Sequence, residues 1–156
     1  MKKRSFLLIV LTFALFIFAG CAKDNEKVLK IAAFKGGHGD AYWAELEKKF
    51  EAKHEGLDVV IESSSTIETT LRGNLQAGNA PDIISLATGR EEALVETLIK
   101  DRGNEDITDV MNKTVPGESK KVKDKILPGF LATTSTNPYN DGKTYLAPLF
   151  YNPVGL

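Results

Sequence analysis

From Val28 to Lys100 the chain alternates between two hydrophobic periods, and that alternation leaves few folds open to it. Val28-Leu-Lys-Ile-Ala-Ala-Phe34 is apolar and β-prone, and it runs into the turn Lys35-Gly-Gly-His-Gly39. Asp40 is placed to cap a helix in which Trp43, Leu46 and Phe50 recur at i, i+3 and i+7, which predicts one apolar, buried face up to about Lys53. Beyond Gly56, Leu57-Asp-Val-Val-Ile61 reads as a second strand. Ser65-x-x-Glu68 has the form of a capping box, opening a helix with Ile67, Leu71 and Leu75 on one side and Gly78 placed to end it. Pro81-Asp82 punctuates, Ile83-Ile84-Ser85-Leu86 reads as a short buried strand, and a further helix is expected from about Arg90 to Lys100, with Ala93, Leu94 and Leu98 inward. Strand, helix, strand, helix, strand is the pattern of parallel βαβ crossovers, an α/β fold with a parallel-rich sheet flanked by helices.

Open parallel sheets bind ligands beyond the carboxyl ends of their strands. The segments in that position are 35–40, 63–66 and 87–91. They carry glycines, hydroxyls and charges, including His38, Asp40, Ser64, Thr88 and Arg90. Such a set suits a polar, neutral, hydroxyl-rich ligand.

The N-terminus has its own pattern. Met1-Lys-Lys-Arg4 is cationic, Phe6 to Phe18 is apolar except for Thr12, and Phe18-Ala19-Gly20-Cys21 follows at once. The apolar run is short for a permanent transmembrane helix, and the arrangement resembles a bacterial lipoprotein signal peptide. That resemblance implies cleavage before Cys21, diacylation of that cysteine and anchorage to the cell membrane on its extracytoplasmic side. Cys21 is the chain's single cysteine and so has no internal disulfide partner. Residues 22–27 are hydrophilic apart from Ala22 and read as a flexible tether. Taking Lys2, Lys3 and Arg4 from 20 basic residues leaves 17 against 21 acidic ones, a formal charge of −4. Nothing in that balance suggests a nucleic-acid surface, which needs clustered excess lysine and arginine.

Three ordered motifs then carry a family resemblance. Leu75-Gln-Ala-Gly-Asn-Ala-Pro-Asp-Ile-Ile84 resembles the signature before the third strand of extracellular solute-binding proteins (family 1) of carbohydrate ABC importers. Asp141-Gly-Lys-Thr-Tyr-Leu-Ala-Pro148 is similar to a second segment of that family, and Val154-Gly-Leu156 to the start of a third. The resemblance implies a periplasmic-binding-protein-like (type II) first lobe over 28–147, preceded by a signal peptide at 1–20 and the lipidated tether at 21–27. Residues 148–156 would begin the crossover to a second lobe, which is absent from this chain. Family members enclose sugar between two lobes, so this piece alone is expected to bind weakly or not at all. The implied partners are a carbohydrate ligand, ABC permease subunits and, through Cys21, the membrane. No cofactor, metal, nucleic acid or catalysis is implied, and a monomer is expected.

In maltose-binding relatives, charged and polar residues after the first strand reach sugar hydroxyls, and here Gly37, His38 and Asp40 occupy that loop. Asp40 serves equally as a helix cap. After the Pro-Asp-Ile segment, relatives use an aromatic and a charged pair, whereas this chain has Leu86, Thr88, Gly89 and Arg90, which argues against maltodextrin. Farther on, Tyr151 and Asn152 are the strongest candidates, because aromatic faces stack on pyranose C–H faces and an amide both donates to and accepts from vicinal hydroxyls. Phe150 reads as core. Trp43 fits the buried stripe of its helix, and Tyr42, offset from it, is a candidate to face the cleft.

Other patterns fail on inspection. Gly142-Lys143-Thr144 ends like a P-loop, but Asn137 stands where the leading glycine is required. Gly36-Gly-His-Gly39 lacks the dinucleotide fingerprint. His38 and His54 lack zinc-ligand spacing, and 101–109 lacks the alternating oxygens of a calcium loop. Asn112-Lys-Thr114 is a sequon by pattern alone, and Lys120 to Lys125 reads as a solvated helical face. The alternatives to sugar capture are a degenerate lipoprotein without binding activity and, less favoured, a lipid-anchored α/β hydrolase, for which no nucleophile elbow is visible.

Overall fold

The structure is a computed structural model describing residues 27–37 and 39–149. The described chain falls into two compact units, one formed by residues up to 65 with 80–84, the other by 66–79 and from 85 onward.

The first unit carries an all-parallel three-stranded sheet in the order β2-β1-β3, with β1 at Val28–Phe34, β2 at Asp58–Ser64 and β3 at Ile83–Ser85. The α/β reading therefore holds. Val28 lies opposite Asp58 and Phe34 opposite Ser64, so Leu29, Ile31 and Ala33 share a face with Val59, Ile61 and Ser63. Ala32 and Ala33, on opposite faces of the central strand, are both buried, as parallel strands require. Helix α1 (Gly39–Glu51) makes the crossover from β1 to β2 and packs on β2. The Val59 amide donates to Glu51 Oε1 at 2.9 Å, which ties the end of the helix to that strand. Asp82 fixes the third strand at its entry. The Lys30 amide donates to Asp82 Oδ2 at 2.8 Å, and the Asp82 amide donates back to the Lys30 carbonyl at 2.9 Å.

The second unit contains α2 (Ile67–Gln76), α3 (Leu94–Lys100), α4 (Thr108–Asn112) and 3₁₀ turns at Val122–Lys125 and Phe130–Ala132. Its buried apolar residues are Ile67, Leu71, Leu94, Val95 and Met111. Gly78, with φ of 76°, follows the last turn of α2 as expected, in the left-handed geometry that glycine adopts without a Cβ clash.

Several expectations are corrected. Asp40 lies inside the first turn of α1, which begins at Gly39, and β2 runs on to Ser64. The apolar stripe of α1 is only partly covered: Trp43 is half-buried, while Leu46 and Phe50 are each 39% exposed. No capping box forms at α2. Thr66 is the N-cap and makes no side-chain capping bond, and the Glu68 carboxylate turns to Arg90. The next helix is also shorter than expected: residues 90–93 form a turn, Ala93 adopts φ of 47°, and α3 starts only at Leu94. The lysine run at 120–125 is a bridge and a 3₁₀ turn rather than a helical face.

Candidate functional site

A groove runs between α1 and β2, with Asp40 and Ser63 at the carboxyl end of the strands. It holds a recess of about 230 Å³ lined by Asp40, Trp43, Ala44, Glu47, Ile61 and Ser63. The geometry follows from two periods. Asp40, Trp43, Ala44 and Glu47 recur at helical spacing on one side of α1, and Ile61 and Ser63 are alternate residues on one side of β2. The volume falls below the roughly 300–1,000 Å³ of a drug-sized site, so it suits a single small ring or the end of a longer chain.

Its chemistry is mixed. Trp43 supplies an aromatic face and packs edge-on against Tyr42, with ring centroids 5.3 Å apart at 75°. The Lys35 ammonium, ion-paired with Asp40, holds that carboxyl below its usual range, so Asp40 presents only acceptors at neutral pH. The Ser63 hydroxyl also faces Asp40, near enough to favour its charged form yet outside hydrogen-bonding geometry, so its oxygen is buried without a bonded partner. The Glu47 carboxyl adds further acceptors. The Lys35 amide donates to the Ser64 carbonyl at 3.0 Å, which joins the ends of β1 and β2 beneath the loop carrying Lys35 and Asp40.

Among the residues singled out from sequence, Asp40 lies in the recess, with Tyr42 beside it against Trp43, and Ser64 ends β2 next to Ser63. Sequence reasoning assigned Trp43 to the buried stripe of its helix, placed Ser63 in the segment 63–66 without singling it out as a contact, and passed over Glu47. The signal for Glu47 was its i+4 spacing from Trp43; for Ser63 it was its alternation with Ile61, once β2 extends past Ile61.

Thr88 and Arg90 belong to the second unit. Thr88 is exposed. Arg90 is engaged internally, its Nε donating to Glu68 Oε1 at 2.9 Å and its guanidinium lying 3.3 Å from Glu92 Oε2. Glu68 is 1% exposed, and its Oε2 has no hydrogen-bond partner. A carboxylate so placed needs a cation, and Arg90 serves that structural need. His38, Phe150, Tyr151, Asn152 and Cys21 lie outside the described residues.

The Asp141 to Tyr145 segment is a clamp within the second unit. Asp106 accepts from the Thr108 hydroxyl at 2.6 Å and the Thr108 amide at 3.0 Å, and it pairs with Lys143 at 3.0 Å. The Thr108 hydroxyl in turn accepts from the Thr144 amide at 2.9 Å, and the Ile107 amide donates to the Thr144 carbonyl at 2.8 Å. The Tyr145 hydroxyl donates to Asp141 Oδ2 at 2.7 Å, while its ring meets Tyr139 edge-on at 4.7 Å. Arg102 lies 4.3 Å over the Tyr139 ring. Bonding from Thr108 above all, and from Lys143, holds Asp106 down to a pKa of about 2. The side chains of Asp106, Thr108, Asp141, Lys143 and Tyr145 all bond within the protein's own chain.

No protein-family model matches the chain, and no curated protein does. Among solved structures, an uncharacterized protein of Listeria monocytogenes EGD-e is similar over 56% of this chain and 22% of that one, at 16% identity and a TM-score of 0.44. The matched part is thus under a quarter of that protein's length, and the likeness is too slight to bear on function.

Proposed function

We propose that this chain is the N-terminal part of a substrate-binding lipoprotein of a carbohydrate ABC importer, its parallel sheet belonging to a type II periplasmic-binding-protein-like first lobe. It captures a sugar outside the cell membrane, to which Cys21 anchors it, and passes it to the permease without chemistry. The observation that carries this reading is the recess at the strand ends. An aromatic ring stands there beside two carboxyl groups and an unbonded hydroxyl. Trp43 offers a pyranose its apolar partner, Asp40 and Glu47 accept from hydroxyls, and Ser63 both donates and accepts. One wall of protein leaves the opposite sugar face in water, so the affinity of this chain alone is expected to be weak.

Trp43 is the single tryptophan of the chain, so its emission reports the recess directly. The test is a fluorescence and calorimetric titration of the chain from Ala22 with a panel of mono- and oligosaccharides. A saturable change in Trp43 emission with at least one sugar, lost in Glu47→Gln and in Asp40→Asn, is the expected result. With sugars offered at concentrations that fill weak sites, a response that survives both substitutions overturns the assignment of the recess.

A further inference from the structure

Residues 113–125 form a lysine-rich hairpin with bare apolar side chains at its base, and we propose that this surface docks on an anionic lipid bilayer. The Val122 amide donates to the Lys113 carbonyl at 3.0 Å and the Val115 amide to the Lys120 carbonyl at 2.9 Å, closing an antiparallel bridge between Thr114 and Lys121. The bridge brings Lys113 beside the run containing Lys120, Lys121, Lys123 and Lys125, and all five lysines are exposed. The segment holds five lysines against Glu118 and Asp124, a net +3 within a chain whose formal charge is −1. Both acids are used locally: Glu118 pairs with Lys125 at 2.6 Å, and Asp124 accepts from the Lys121 amide at 3.0 Å. Lys113, Lys120, Lys121 and Lys123 have no ion-pair partner among the described residues.

Bare apolar side chains flank the two ends of the hairpin. Helix α4 packs against the 3₁₀ turn of the hairpin, and its Val110 is 48% exposed; Leu127, two residues past Lys125, is 67% exposed, the barest large hydrophobic side chain among the described residues. Lysines around bare apolar tips match a bilayer interface, where anionic headgroups meet the lysines and the acyl boundary receives the tips. The sequence supplies the setting. Only residues 22–27 separate Cys21 from the start of the fold, at most about 20 Å of extended chain, so an acylated Cys21 would hold the protein at a membrane. The proposal goes beyond sugar capture and does not depend on it.

The test is cosedimentation of the chain from Ala22, which keeps every described residue and lacks the lipid. It is offered vesicles rich in phosphatidylglycerol or vesicles of phosphatidylcholine alone. Binding to the anionic vesicles only is expected, at low salt and falling as the screening length shrinks from about 30 Å at 0.01 M to about 8 Å at 0.15 M. Joint Lys120→Gln, Lys121→Gln and Lys123→Gln substitution lowers partitioning about a hundredfold, at about fivefold per lysine. Leu127→Ala weakens binding while leaving its salt dependence intact. These side chains are exposed, and unchanged far-ultraviolet circular dichroism establishes that the variants fold. No cosedimentation, equal binding to both vesicle types, or a triple variant that binds like the parent each overturns the proposal.

Discussion

Glu68 sits at 1% exposure in α2, and only the guanidinium of Arg90 makes that position tolerable. The pair adds little net stability over an apolar pair of the same shape, but removing one member leaves a buried charge alone. Arg90→Ala is therefore expected to cost about 3 kcal/mol in urea unfolding, and Glu68→Leu in the same chain to recover most of that loss; a single-variant cost within error of zero contradicts the pairing. Leu71, also fully buried, should lose about 2–5 kcal/mol as alanine, measured the same way. Arg90 shows where residue-level reading stops. Sequence places a cation just past a strand end, where a ligand contact is chemically reasonable. Its partner lies 22 positions away, and only the fold brings them together. The reverse holds for Trp43, whose helical spacing was legible while its incomplete burial was not, because burial depends on what packs opposite.

At the scale of elements, the two segments that look most like signatures are joints in the backbone. Asp82 bonds the Lys30 amide from the mouth of β3, and Thr108 relays between Asp106 and the Thr144 amide. Asp82→Ala should cost about 1.5 kcal/mol, the value of one charged hydrogen bond, and should speed amide hydrogen exchange at Lys30. Thr108→Val should cost about 2 kcal/mol through two lost bonds and loosen the 141–145 segment, seen as faster exchange at Thr144 than in the parent. Unchanged exchange at either amide contradicts its clamp. The strands and helices themselves were legible because period 2 and period 3.6 are local properties, and β1, β2, β3 and α2 stand close to where patterning put them. Helix α3 was drawn too long because nothing local in Arg90-Glu-Glu92 announces the turn that residues 90–93 form. The site was legible only in part. Strand-end topology pointed to Asp40 and to the segment holding Ser63 and Ser64, but the recess also needs Glu47, which topology alone does not single out.

For the molecule as a whole, charge sets a pH window. Asp40, Glu45, Asp106 and Asp141 are all held below their ordinary values, by Lys35, Lys49, Thr108 and Tyr145 foremost. A carboxyl depressed in the folded state contributes stability above its unfolded pKa, near 4, and that contribution is lost as pH falls through the folded value. For Asp106 the window runs from about 4 down to about 2. At the basic end, Lys143 and Tyr145 are both raised, by Asp106 and Asp141, so their contribution is present below pH of about 10 and disappears above it. Urea midpoints measured from pH 2 to 7 should fall steeply below 4, and Asp106→Asn should flatten that fall while lowering the midpoint at pH 7. An acid limb identical in the variant contradicts the assignment to Asp106.

The clamps commit their polar atoms to bonds within the chain, whereas Thr88 at a strand end is exposed and Glu47 makes no ion pair among the described residues. Substitutions at such positions leave Asp82, Thr108 and Lys143 untouched. Change at that rim can therefore alter what the strand ends present to solvent without disturbing the joints that hold the backbone.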